Sequence, residues 1–247
     1  MARPLIDFVH TADLPVQAFV FPWWGRLEGR LLSRDDDSGA ESWLVALPAG
    51  WQSDGGTLDR DEELLVVDGG VEEGGDALRA FSYRFRPANA DRGAARSTGG
   101  ARLLVGLGER SVEPADPVRE IRRQVDEMDW QPLWTEGLPG GVARKTLRSE
   151  PERDEAAWML GVLPGWTFRA IESHDFDEEH FILAGSFETN IGLMTEGSYL
   201  YHPPVVDHGP TRSKTGCLTY VRGRGAFNLR VTPREDFVFP SDRPSDV

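Results

Sequence analysis

Four of the five histidines in this 247-residue chain lie between positions 174 and 208, and they are spaced among carboxylates. In IESHDFDEEHFILAG the order is Glu172, one residue, His174, three residues, Glu178, one residue, His180, and later Gly185. In GSYLYHPPVVDH it is Gly197, His202, Pro203 and finally His208. Imidazole nitrogens and carboxylate oxygens are the donors that hold iron(II), manganese and zinc. Residues x and x+2 of a strand face the same side, so Glu172 and His174 point together into whatever that strand encloses. A tight acidic loop after them is expected to bring Glu178 in beside them, and a facing strand to supply His208. His180, two residues past Glu178, faces the same cavity as a further polar group. A lone histidine is ordinarily structural, but two histidines and a glutamate at this spacing form a metal-site pattern. His202, beside Pro203, is expected at a mouth or on the surface. Tyr199 and Tyr201 share a strand face, which would line the pocket or, the more expected role, belong to the core, and His10 is expected on the surface.

The elements that must position these residues are short strands, and they come in two copies. Asp61-Glu62-Glu63 recurs as Asp177-Glu178-Glu179, Gly69 as Gly185, Pro87 as Pro203, Arg96-Ser97 as Arg212-Ser213 and Gly100 as Gly216, all 116 residues apart. Upstream, Trp43 and Trp51 pair with Trp158 and Trp166 at an offset of 115. Internal repeats of this kind identify a duplicated domain. Within each copy, apolar runs such as SWLVAL and AWMLGVL end in turns rich in Gly and Pro, the pattern of an antiparallel sandwich or barrel. One segment reads as a helix, residues 116–130, with Asp116 as N-cap, Pro117 in the first turn and Val118, Ile121 and Val125 on one stripe. It is expected to connect a domain over residues 1–115 to another over 131–247. The acidic stretch at Asp35–Asp37 reads as a solvated turn, and the tail after Phe239 as loose.

The spacings resemble the two motifs of the cupin superfamily, whose members are small double-stranded jelly-roll barrels. The resemblance spans both copies, as a two-domain bicupin, and is specific in the second. The run DEEHFILAGSF, followed by GSYLYHPP, a histidine and GC, is most similar to the barrel of zinc-binding anti-sigma sensors of the ChrR-like type. The resemblance implies one divalent metal ion per chain, iron, manganese or zinc, with Glu172, His174, Glu178 and His208 as ligands. The family's first motif usually opens on His-x-His. Here Glu172 stands in the first position, which leaves it as a ligand, as a residue that orients a ligand or bound water, or as a base. The first copy has lost the set: at an offset of 116 its counterparts are Gly56, Leu58 and Arg92, with only Glu62 retained. At an offset of 115 Thr57 and Asp59 replace the first two, still without an imidazole.

Composition narrows the partners. A net charge of −14 repels phosphate backbones and argues against nucleic acid. One cysteine, Cys217, excludes an internal disulfide. No run of 18 apolar residues exists to span a membrane, and Asp7 and Asp13 interrupt the N-terminal segment, so a cytoplasmic location is expected. A small molecule is the expected partner, and barrels of this kind pair edge to edge as homodimers or through fused copies. Two functions follow from the resemblance. One is a metal-dependent enzyme of dioxygenase or isomerase type on a small oxygen-rich acid or diketone, with Glu172 and His180 moving protons. The other is a metal-dependent sensor or ligand-binding module without catalysis.

Overall fold

The computed structural model describes residues 3–243. The chain divides into two compact units, one with Thr11–Met128 as its body and one formed by Leu5–His10 together with the residues from Asp129 onward. Each unit is a ten-stranded antiparallel sheet. Among the described residues, helical turns are single 3-10 turns of three residues, and no helix is long and apolar enough to cross a membrane.

The two sheets run in the same order. In the first unit the path is Ile121–Gln124, Ser82–Arg86, Arg60–Glu73, Ala101–Arg110, Glu41–Leu47, Gly25–Arg34 and Gln17–Phe21. In the second it is Ile6–His10, Ser198–His202, Ala170–Thr189, Cys217–Pro233, Glu155–Val162, Val142–Glu150 and Gln131–Pro132. The repeat therefore extends to strand pairing. Leu103 opposes Val66 and Val45 in one unit, and Thr219 opposes Ile182 and Leu160 in the other. A backbone bridge joins Gly56 to Arg92, and its counterpart 116 residues on joins Glu172 to His208. This settles the offset at the site: Gly56, Leu58 and Arg92 are the counterparts, not Thr57 and Asp59.

Gly69 and Gly185 show why the repeated glycines are needed. Their φ angles are +72° and +73°, and a Cβ would stand 2.2 Å from the Gly100 carbonyl oxygen in one unit and 2.0 Å from that of Gly216 in the other. Only glycine combines that left-handed backbone with so close a crossing.

Two expectations are corrected. Residues 116–130 do not form a connector helix. Asp116 does cap a turn, accepting a hydrogen bond from the Val118 amide, but Pro117–Arg119 is a single 3-10 turn. Ile121–Gln124 then pairs with Ser82–Arg86 as an edge strand, so ladder hydrogen bonds displace helical ones. The anticipated apolar stripe is split, with Val125 at 2% exposure and Val118 at 89%. Nor is the stretch after Phe239 loose at its start. Phe239 is buried, Ser241 and Asp242 bind Arg212, and Ser241 also reaches Glu188. Residues 244–247 lie outside the described residues. Arg212 and its counterpart Arg96 each pair with the equivalent glutamate, Glu188 and Glu72, a structural role in both units.

The boundary between units also falls differently from the expected one. The edge strand Ile6–His10 pairs with Ser198–His202 and belongs to the second unit, in the place that Ile121–Gln124 takes in the first. His10 consequently sits half-buried in that strand, its Nε2 2.9 Å from the Glu196 carbonyl oxygen.

Candidate metal centre

One strand carries most of the site. Ala170–Thr189 runs for 20 residues, with no loop between His174 and Glu178, so the expected acidic loop is replaced by continuous strand. Alternation then does the positioning: Glu172, His174, Phe176, Glu178 and His180 share parity and all line one cavity. A register shift between Ile182 and Ala184 reverses the parity, so Phe187 and Thr189 line the same cavity further along. The neighbouring strand Ser198–His202 contributes Leu200 and His202 to the wall. Tyr199 and Tyr201 have the other parity and are core residues, and the Tyr201 hydroxyl donates to Asp177.

The cavity holds about 620 Å³, within the range of small-molecule sites. At its polar end, one donor atom each from His174, Glu178 and His208 lie within 4.8 Å of one another. Among the described residues no other such group of three is found. His174 Nε2 is 3.4 Å and His208 Nε2 3.7 Å from Glu178 Oε2. The far nitrogens of both rings are fixed by backbone carbonyls: His174 Nδ1 by Phe176 at 2.8 Å, and His208 Nδ1 by Val206 at 3.0 Å. That places the Nδ1–H on the backbone and turns the Nε2 lone pair inward, as in metal-binding histidines. His174 Nε2 is shut from solvent, and its polar neighbour is the Glu178 carboxylate at 3.4 Å rather than water. Two inward imidazole nitrogens converging on one buried carboxylate are the donor set that a divalent ion takes. The residues present therefore fit a divalent ion.

Electrostatics follow the same geometry. Desolvation pushes the Glu178 carboxyl up, but His180 and His174 outweigh it and hold it well below the usual carboxylate range. Desolvation lowers His174, and Glu178 outweighs it in turn, so this imidazole keeps a proton above its usual value. Glu172 is raised, chiefly by desolvation and further by Glu178, against the pull of His208.

Glu172 stands beside the group rather than in it. Its Oε1 is 3.7 Å from His208 Nε2, while the three-residue cluster forms without it. His180 faces the cavity as expected, with Nε2 3.0 Å from Glu178 Oε1. His202 is the residue the sequence reading misplaced. It is buried, not at a surface, and its ring centroid is 4.6 Å from that of His208. Desolvation, with His208 beside it, lowers its pKa to about 4. Two aromatic residues also escaped notice: Phe176 stacks on His174 at 3.8 Å, and Phe227 packs on Phe176 at 4.7 Å. Parity with His174 and Glu178 was the available signal for Phe176.

In the first unit the equivalent position is a closed ion-pair cluster. Glu62, the counterpart of Glu178, accepts hydrogen bonds from Trp23 at 3.1 Å and Trp24 at 3.0 Å. Arg92, in place of His208, approaches its other oxygen at 3.6 Å. Arg84 and Arg86, in place of Leu200 and His202, both reach Glu73 at 2.5 Å. Guanidinium groups supply no lone pair, so this set cannot bind a cation.

Comparisons with known proteins bear on the second unit by family and on both units by fold. Residues 118–227 match the family described as the ChrR Cupin-like domain. No match is found among curated protein sequences. Among solved structures, a provisionally assigned dioxygenase from Nostoc punctiforme is similar at a TM-score of 0.79 and 20% identity, covering 96% of this chain and 85% of its own. A variant of oxalate decarboxylase from Bacillus subtilis is similar at a TM-score of 0.59 and 11% identity, covering 92% and 78%. Protein Ylba from E. coli is similar at 0.64 and 15%, covering 89% and 90%.

Proposed function

We propose, from the premise that this chain has the fold of the cupin superfamily, that its second unit is a metal-dependent enzyme of dioxygenase or isomerase type. Its substrate is a small oxygen-rich acid or diketone. The observation that carries the reading is the convergence of His174, Glu178 and His208 at the end of a cavity, with His174 Nε2 buried and turned toward the Glu178 carboxylate. Two imidazoles and one carboxylate that leave coordination positions open are the donor set of non-haem iron(II) oxygenases. The similarity to a protein assigned as a dioxygenase supports the same direction.

His174, Glu178 and His208 would hold the ion, and bound there it supplies a Lewis acid for a carbonyl or enolate oxygen and, as iron, redox chemistry with dioxygen. The rest falls to the chain. His180, hydrogen-bonded to the second oxygen of Glu178, orients that carboxylate. Glu172, whose carboxyl burial raises above its usual value, receives or returns a proton at Oε1 on the His208 side of the cavity. Phe176, Trp158 and Phe187 exclude water from the reacting end.

The match to the ChrR Cupin-like domain favours one alternative, a sensor that binds metal and ligand without turnover. Metal content by mass spectrometry, on the protein and on a His174→Ala, His208→Ala double variant, tests the common premise. Near-stoichiometric iron or manganese, lost in the variant, followed by oxygen consumption with diketones, supports the enzyme. Tightly held zinc without turnover selects the sensor, and no metal after reconstitution defeats both.

A further inference from the structure

The two units have solved the same local problem differently, and the difference describes the ligand. In the first unit the hairpin between Gln17–Phe21 and Gly25–Arg34 turns in three residues, Pro22, Trp23 and Trp24. Both indoles enter the unit, 3% and 1% exposed, with ring centroids 4.3 Å apart. Their N–H groups converge on Glu62, the counterpart of Glu178. They belong to a core cluster with Trp51, Leu58, Leu64, Val71, Leu78, Val45 and Leu47.

Every one of those seven has a counterpart that lines the cavity of the second unit: Trp166, His174, His180, Phe187, Met194, Leu160 and Val162. The equivalent hairpin, between Gln131–Pro132 and Val142–Glu150, is long. Leu133, Thr135 and Leu138 from it line the cavity wall, while Trp134 is 83% exposed. The space that two packed indoles fill in one unit is thus the cavity in the other. An aromatic series leads along it to the metal end: Trp158 to Phe227 at 5.9 Å, Phe227 to Phe176 at 4.7 Å, and Phe176 to His174 at 3.8 Å. Charge completes the description. The one cationic side chain on the lining is Arg144, which is exposed, whereas Glu172 and Glu178 are carboxylates at the metal end.

We infer that the ligand of the second unit is a flat, uncharged aromatic compound of one or two rings, with an oxygen-bearing edge turned toward His174, Glu178 and His208. The inference rests on the metal site proposed above and goes beyond its substrate class, replacing the small oxygen-rich acid by an aromatic body. A second carboxylate would meet apolar wall and no buried cation, at a desolvation cost. An aromatic body would take the packing that Trp23 and Trp24 take in the first unit.

The test is calorimetric titration of the zinc-loaded and the metal-free protein with 2,3-dihydroxynaphthalene and, separately, with oxalate. Zinc serves because it is redox-silent. The diol is expected to bind the loaded protein at least about tenfold tighter than oxalate, the effect of burying roughly 55 Å² of apolar surface. Leu138→Trp, which fills the cavity from the hairpin as Trp24 does in the first unit, should weaken the diol about tenfold with zinc content unchanged. Phe227→Ala, which removes the half-exposed ring between Trp158 and Phe176, should weaken it in the same sense. Oxalate binding as tightly as the diol to protein that holds zinc overturns the inference and leaves the metal site standing. Failure to take up zinc defeats the metal reading instead. In that case diol binding to the metal-free protein, weakened by Leu138→Trp, supports the aromatic inference, and no binding overturns it.

Discussion

Replacing His174 by leucine, the residue already present at its counterpart Leu58, separates a metal ligand from a structural histidine. In the metal-free protein the change removes the hydrogen bond to the Phe176 carbonyl, worth about 1 kcal/mol, and a ring stack at 3.8 Å worth about as much. It also takes from Glu178 one of the two histidines that hold its charge, at 3.4 Å, while His180 at 3.0 Å remains. Against this it gains the burial of an apolar side chain, about 1.5–3 kcal/mol. The opposing effects partly cancel, so metal-free stability should stay within about 2 kcal/mol of the parent. The loaded protein behaves otherwise. An ion at about a thousand times its Kd stabilises the native state by about 4 kcal/mol, a rise of roughly 8–16 °C in Tm for a chain of this size. His174→Leu should lose nearly all of that rise. Thermal unfolding with and without metal, with a chelator control, reads both quantities. An undiminished rise in the variant refutes His174 as a ligand. A metal-free loss of more than about 3 kcal/mol shows that the ring is there for packing.

Four further outcomes are expected. Glu172→Gln should keep metal content near that of the parent while turnover falls about a hundredfold, as for loss of a proton-transfer group; loss of metal would make Glu172 a ligand. Burial raises the Glu62 carboxyl, but Arg92, Arg84 and Arg86 outweigh it and hold it below its usual value. Its contribution to stability is therefore complete above the unfolded value near 4.3 and is lost as pH falls through the lower folded value. Glu62→Gln should flatten that acid limb in pH-dependent denaturation, and an unchanged limb would contradict the ion-pair account. Trp24→Ala should cost about 3–5 kcal/mol by denaturant unfolding, since it empties a fully packed position and leaves Glu62 one donor short; a loss under about 1 kcal/mol would mean that the indole is not the plug described. Gly69→Ala and Gly185→Ala should each destabilise by about 2–3 kcal/mol, because both carry the same left-handed crossing. A neutral result at either position would break the equivalence of the units.

Much of this was written in residue spacing. The offset of 116 that aligns Glu62 with Glu178 also aligns a backbone bridge with a backbone bridge, because the strand registers are repeated along with the residues. Parity along Ala170–Thr189 places Glu172, His174, Glu178 and His180 on one face, which sequence alone could state. The connector helix failed because capping residues and helical spacing are local signals, and an open sheet edge at Ser82–Arg86 offered Ile121–Gln124 better partners. His202 was misplaced because proximity to Pro203 outweighed its parity with Leu200, which points both into the cavity. The buried Arg84 and Arg86 were illegible for a different reason. Arginine is ordinarily a surface residue, and the carboxylate of Glu73, with Glu62 and Glu120 farther off, makes two of them tolerable inside.

The edge strand Ile6–His10 sets an order of assembly. During synthesis the first unit can complete its sheet once Ile121–Gln124 has emerged, using a strand that follows directly in the chain. The second unit closes with a segment made well over a hundred residues earlier, which must wait unpaired until Ser198–His202 appears. Maturation of the site is thereby tied to synthesis of both units. A fragment starting at Asp129 would leave Ser198–His202 as a bare edge, ready to pair with another chain. Proteolytic removal of residues 5–10 from the finished protein would do the same, stripping support from the strand that carries His202 while leaving every proposed metal ligand covalently in place.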